Sequence, residues 1–266
     1  MRWRGQLKYW LYGCCPGFSG AYTYCGTKFY FPNRSFSFRA FCSGGVYEPD
    51  NTALLTTLAK PQTVMFDVGA NIGLMSIPVL ASVPDVRVVS FEPSPNTAPW
   101  LERTVRESAH AARWQLVTKA VGASLGTTKF NVSSQRLSLW DGRQNTGRVP
   151  SSRTVEVEQT TLDAVWEGLG SPAVSVIKCD VEGGEMDVLR GARKVLAACR
   201  PAVLLEWQPH HLPAYGLATD SILTFAAEAG FSLHAVPSGA TITGPMHLEA
   251  MTVFTENFLL LPKLPY

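Results

Sequence analysis

The sequence predicts an α/β protein: a doubly wound, mostly parallel, Rossmann-like sheet with an N-terminal cap. Three observations predict it. The stretch Val64-Met65-Phe66-Asp67-Val68-Gly69-Ala70-Asn71-Ile72-Gly73 reads as a buried strand that stops at a glycine-bracketed turn and restarts as a helix. A second strand, Val86–Glu92, follows about 20 residues later and ends in a carboxylate, as in nucleoside-binding Rossmann sheets. Beyond these, strand-like and helix-like periods alternate through most of the chain.

Residues 1–44 read as a basic, aromatic arm. They carry Arg2, Arg4, Lys8, Lys28, Arg34 and Arg39, and the first acid of the chain is Glu48. Such an arm suits either a strand-and-loop cap with its charges in water or a contact with an anionic partner such as a membrane surface. Nothing in it matches a nucleic-acid motif, so no nucleic-acid partner is expected. Residues 45–266 form the main domain. The pattern predicts a helix over Pro49–Lys60, strand one over Thr63–Val68, a helix over Ile72–Ser82 despite Pro78, and strand two over Val86–Glu92. A helix over Asn96–His110 and strand three over Trp114–Ala120 follow. From about 122 to 158 the alternation shortens into antiparallel runs at Thr128–Val132 and Thr154–Glu158, a substrate-side insertion whose polar stretch Asp141–Ser152 suggests a lid. Then come a short helix from Thr161, strand four (Val174–Asp180), a helix over Glu185–Ala198, strand five (Ala202–Trp207), a helix over Asp220–Ala229, and final strands over Phe231–Val236 and Thr252–Leu261.

Composition sets the remaining bounds. The 266 residues are 46% hydrophobic and 17% charged, an ordinary soluble globular balance. No apolar run reaches the ~18 residues of a spanning helix, and the N-terminus lacks a secretory pattern. The cysteines Cys14, Cys15, Cys25, Cys42, Cys179 and Cys199 show no C-x2-C spacing, which predicts free thiols in a reducing cytoplasm.

The turn separates candidate ligands. A dinucleotide turn needs a second glycine where this chain has Asn71, and Asp67 just before the turn would repel a pyrophosphate. A carboxylate there suits a ligand with cationic and amino groups and no phosphate, which describes S-adenosylmethionine. Glu92 then has two oxygens for the ribose hydroxyls. Strand four ends Lys178-Cys179-Asp180-Val181-Glu182-Gly183-Gly184-Glu185. Strand alternation predicts that Lys178, Asp180 and Glu182 project together, while Cys179 and Val181 face a helix layer.

These blocks carry a resemblance. Phe66–Gly73, Phe91-Glu92-Pro93, Lys119-Ala120-Val121-Gly122, Thr161-Leu162-Asp163 and Ile177–Glu185, in this order, resemble the FkbM family of S-adenosylmethionine-dependent methyltransferases, and Gly45-Val46-Tyr47-Glu48 is similar to that family's opening segment. The likeness spans about residues 44 to 262. It implies a seven-stranded sheet with the last strand antiparallel and methyl transfer to a hydroxyl oxygen. It also implies cofactor contacts at Glu48, Asp67, Gly69, Asn71, Glu92 and the region of Ala120, to which Gly73, Pro93 and Asp180 are added as neighbours in the same blocks.

The chemistry needs an acceptor hydroxyl held near the methyl carbon and a base for its proton. The candidates are Asp180 and Glu182, with Lys178 as orienter or alternative base and His210 or His211 after strand five. The acceptor is expected to be a small molecule or a glycan- or lipid-linked hydroxyl: a sugar, glycolipid or polyketide. Asp180, Glu182 and Glu206 would make an oxygen-rich metal site, but Lys178 would compete for the same carboxylates, so no metal is expected. The alternative reading is a cofactor-binding scaffold without transferase activity.

Overall fold

The structure is a computed structural model that describes residues 3–133, 141–144 and 153–263. The chain opens with helix α1 (Trp3–Lys8), a π-helical continuation (Tyr9–Cys14), a hairpin of β1 (Ala21–Tyr24) and β2 (Thr27–Tyr30), and helix α2 (Phe36–Gly44). Next come α3 (Pro49–Leu58), β3 (Val64–Val68), α4 (Ser76–Ser82), β4 (Arg87–Phe91), α5 (Ala98–Glu107) and β5 (Trp114–Val117). They lead to β6 (Ala120–Val121), β7 (Gly126–Val132), β8 (Arg153–Thr160), α6 (Leu162–Gly168), β9 (Val174–Cys179), α7 (Glu185–Arg190), α8 (Arg193–Cys199) and β10 (Ala202–Glu206). The last elements are α9 (Ser221–Ala229), β11 (Phe231–Ala235), α10 (Pro245–Thr252) and β12 (Asn257–Pro262).

The central sheet has seven strands in the order β11-β12-β10-β9-β3-β4-β5. All are parallel except β12, which runs antiparallel to both its neighbours. The chain winds outward from β3 through β4 to β5, then returns to build β9 and β10 on the other side of β3. The strand order therefore reverses between β3 and β9, and the ends of these two strands open a crevice. One face of the sheet buries Phe66, Val89, Ile177, Cys179 and Val203 against Leu162, Leu189, Val195 and Phe225 of the helices that cover it. The other buries Met65, Val88, Val176 and Leu204 together with Leu55, Ile77, Leu101 and the arm aromatics Phe29, Phe31, Phe38 and Phe41.

The arm is thus welded to the sheet. Phe31 and Phe38 stack with ring centroids 3.9 Å apart, and Ser35 caps α2 by accepting from the Phe38 N–H. The sequence pattern suggested strands and loops there. The hairpin is present, but about half of the arm is helical, because tertiary packing overrides the strand propensity of aromatic residues.

Other boundaries moved for identifiable reasons. Pro78 lies in the first turn of α4, where its missing N–H costs nothing. Strand three stops at Val117, and Ala120-Val121 instead pairs with β8 in a three-stranded sheet, β6-β8-β7. The single helix expected over Glu185–Ala198 breaks at Gly191. A Cβ there would sit 2.1 Å from the Gly122 carbonyl oxygen, and the Gly191 carbonyl accepts from the Asp163 N–H. Thr252 ends a helix instead of starting a strand, so β12 begins only at Asn257. In the polar stretch 141–152, Asp141 is buried and Gly142 bridges Asn131, while 145–152 lie outside the described residues, so the lid expectation stays with the sequence. No helix among the described residues is long and apolar enough to cross a membrane. All six cysteines are free thiols.

Candidate functional site

The site grows from one row of the sheet. Register places Ser90 of β4, Asp67 of β3 and Lys178 of β9 side by side, with Leu204 of β10 beyond. All three polar residues are buried. Ser76 from the start of α4 donates to Asp67 Oδ2 at 2.5 Å and lies 3.0 Å from Ser90 Oγ, which also accepts from Trp114 Nε1. The Lys178 ammonium donates to the Gly69 carbonyl at 2.7 Å and pairs with Asp180 at 3.3 Å and Asp67 at 3.6 Å. Burial opposes its charge, but Asp180, Asp67 and Glu48 outweigh that and push its pKa up. The raised pKa favours the protonated form, in which Lys178 orients the carboxylates.

The turn above this row is built by steric necessity. Gly69 has φ +76°, and a Cβ would lie 1.8 Å from the Asp180 carbonyl oxygen. Gly73 has φ +81° and is pressed against Leu101 and Trp114, so it holds the turn from behind and does not line the cleft. Between them Asn71, at φ +50°, occupies a left-handed position that Asn tolerates, and its Oδ1 accepts from Ser37 of the arm. The turn N–H groups are spoken for: Gly69 and Ala70 donate to the Phe91 carbonyl, and Asn71 to Glu92 Oε2. These three N–H groups are therefore not offered to a phosphate.

Glu92 sits just past β4, buried, with Oε1 accepting from the Ser94 N–H and Oε2 from Asn71. Each oxygen keeps a second lone pair. Desolvation pushes its pKa up to about 7 against the pull of those two bonds. Ser94 Oγ reaches across to Asp141 of the insertion, whose other oxygen accepts from the Ser133 N–H and hydroxyl.

After β9 the chain leaves the strand, so the expected alternation ends at Cys179. Glu182 reaches the site from a turn, at φ +58°, and Val181 packs against the helix-side core while also lining the cleft. Glu185 holds this turn by accepting from the Val181 and Gly183 N–H groups. Burial pushes its carboxyl up to about 7.

A cleft opens over these elements. Of the residues singled out from sequence, Asp67, Gly69, Asn71, Glu92, Pro93, Ala120, Lys178, Asp180 and Glu182 line it together. Glu48 does not: it accepts from Asn51 Nδ2 and lines a smaller cavity behind Lys178 and Asp180, with Glu206. His210 is exposed and lies outside the cleft lining. Its neighbour His211 is the buried one, with Nε2 3.4 Å from Glu182 Oε2. Ser37, Tyr47, Asp141 and Arg143 also line the cleft. Sequence reasoning missed them because each reaches it through tertiary packing from the arm or the insertion.

The arrangement offers paired carboxylates for hydroxyl and amino groups, a fixed cation, and a turn whose Gly69, Ala70 and Asn71 N–H groups are already bonded. Comparisons with known proteins agree in kind. A family model described as the methyltransferase FkbM domain matches residues 67–233, more than half of the chain. Hexuronic acid methyltransferase AglP of Haloferax volcanii is 28% identical over 150 residues, 56% of this chain and 58% of that protein, so the match spans little over half of that relative. Among solved structures, methyltransferase FkbM from Methylobacillus flagellatus is 15% identical, covering 85% of this chain and 54% of its own with a TM-score of 0.48. A precorrin-6y C5,15-methyltransferase from Geobacter metallireducens is 11% identical, covering 80% of this chain and 87% of its own with a TM-score of 0.44. The chain belongs to the FkbM methyltransferase domain family.

Proposed function

We propose that this chain is an S-adenosylmethionine-dependent O-methyltransferase. The observation that carries the reading is the closed turn: Gly69, Ala70 and Asn71 give their N–H groups to Phe91 and Glu92, while the Asp67, Glu92 and Asp180 carboxylates remain at the cleft. The residues fit the cofactor's chemistry. Glu92 has lone pairs free for two ribose hydroxyls, and buried Asp67 Oδ1 makes no hydrogen bond of its own. Asp67, Asp180 and the turn at Gly69 would hold its cationic amino-acid end. When bound, S-adenosylmethionine supplies a methyl group on a sulfonium, open to displacement by an acceptor oxygen.

The chain's own residues do the rest. Lys178 pairs with Asp180 at the cleft edge, where Asp180 accepts the proton of the acceptor hydroxyl. Glu182, one turn further on, orients that hydroxyl. The acceptor we favour is a sugar or sugar-linked hydroxyl, supported by the hexuronic acid named for the archaeal relative and by Arg143 at the cleft, a cation suited to a sugar carboxylate. The test is calorimetric titration with S-adenosylmethionine, S-adenosylhomocysteine and NAD, followed by methyl transfer to uronic acids and neutral sugars. Binding of the first two and not of NAD is expected. Binding of NAD alone would overturn the reading.

A further inference from the structure

We propose that Glu182, Glu206 and His211 form a divalent-cation site at the wall between the cleft and the smaller cavity behind it. One ligand atom from each lies within 4.8 Å of the others. The His211 Nε2 to Glu182 Oε2 separation of 3.4 Å is that of adjacent ligands on a cation with bonds of ~2.1 Å. The three residues come from separate elements that meet here. Glu206 ends β10, Glu182 sits in the turn after the neighbouring strand β9, and His211 opens the short helical turn Leu212–Tyr215.

A second observation points to a missing ligand. Glu206 Oε2 is a buried atom with no hydrogen-bond partner, while its Oε1 is held by Gln208 Nε2. Gln208 is itself 2% exposed and also donates to Glu256, so it fixes the carboxylate from behind as an outer-shell residue does. The lysine expected from sequence to compete for Asp180, Glu182 and Glu206 does hold the first of these, together with the Gly69 carbonyl and Asp67; the site proposed here uses the other two with His211.

The set of one imidazole and two carboxylates favours Mn²⁺, Fe²⁺ or Zn²⁺ over Mg²⁺ and Ca²⁺, which prefer oxygen alone. Glu182 lines the cleft, so an open coordination position there would take an oxygen of the acceptor. That role rests on the methyltransferase reading; the binding of the cation does not.

The test uses the full chain, stripped of metal and titrated with Mn²⁺ alone, free Mn²⁺ being read by electron paramagnetic resonance, with Zn²⁺ as competitor. We expect one saturable site per chain, displaced by Zn²⁺. Affinity should fall at least ~10-fold in Glu206→Gln and in His211→Gln. Thermal unfolding gives a second readout: Mn²⁺ raises the midpoint of the wild type and not of Glu206→Gln. No saturable binding of either ion, or undiminished binding in both variants, overturns the site while leaving cofactor binding untouched.

A separate observation concerns the arm. Trp3, Leu7 and Trp10, spaced i, i+4, i+7 along one helical run, are 69%, 53% and 59% exposed, and Phe18 is 62% exposed nearby in the chain. Exposed Arg4 lies among them with its guanidinium over the Trp3 ring, whereas Lys8 turns to the Tyr22 and Phe41 rings, and no acid occurs before Glu48. We infer that this face docks on an anionic lipid bilayer, the apolar side chains entering the interface and Arg4 meeting headgroups. Co-sedimentation with phosphatidylcholine vesicles, with and without phosphatidylglycerol, tests it. Binding only to the anionic vesicles, weakened by salt and lost in the Trp3→Glu/Trp10→Glu double variant with its melting curve unchanged, is expected. No binding to anionic vesicles, or equal binding by the variant, overturns it.

Discussion

Glu92 shows how a single buried carboxyl links folding to pH. Its pKa is near 4.5 when unfolded and is pushed up to about 7 by burial in the folded chain. The folded state therefore favours the protonated form. This contribution is fully present below pH 4.5 and is lost as pH rises through about 7, by at most roughly 3 kcal/mol. Urea unfolding at pH 4.5 and at pH 8 should show the wild type losing stability relative to Glu92→Gln; a constant difference between the two proteins would refute the assignment. The same residue also closes the turn, because one of its oxygens takes the Asn71 N–H. At Gly69 the constraint is steric: a Cβ 1.8 Å from the Asp180 carbonyl and a φ of +76° together leave no room for alanine. Gly69→Ala should cost more than about 4 kcal/mol or prevent folding, as measured by chemical denaturation.

Among the elements, Gly191 separates α7 from α8 because the backbone of the β6 end lies against it. Gly191→Ala should destabilise by about 2–4 kcal/mol. Gly168, near the end of α6 with open space around it, is the control: Gly168→Ala should be neutral or stabilising by up to ~1 kcal/mol. Equal effects at the two positions would show that helix propensity, not the close approach, sets the break. The comparison also explains what was legible in the sequence. Strands β3, β4, β9 and β10 carry contiguous apolar runs bounded by turn residues, so their order and the carboxylates at their ends were readable. The break at Gly191, the transfer of Ala120-Val121 to a second sheet and helix α10 were not, because each is decided by a neighbour distant in sequence. Within the site, Asp67, Glu92 and Asp180 were readable from their place after apolar runs. Ser37 and Asp141 were not, and of the two candidate histidines no local pattern distinguishes buried His211 from exposed His210.

At the scale of the molecule, the arm and the sheet share one apolar core. Phe38 is fully buried among arm rings and packs in the same cluster as Met65 and Val88 of the sheet. Phe38→Ala should cost about 3–5 kcal/mol and lower a single cooperative unfolding transition. Two separate transitions, with the sheet unaffected, would show the arm to be independent. The hydrogen bond from Ser37 to Asn71 carries this union into the cleft. The stretch recognisable as a family member starts at Asp67, yet the arm supplies Ser37 to the cleft wall and the segment after it supplies Tyr47. Anyone trimming the chain to its recognisable stretch, or grafting that stretch onto a relative's front end, would carry away the turn without the scaffolding that shapes it. Inherited likeness and the working unit have different edges here, and chimeras should be cut by the second.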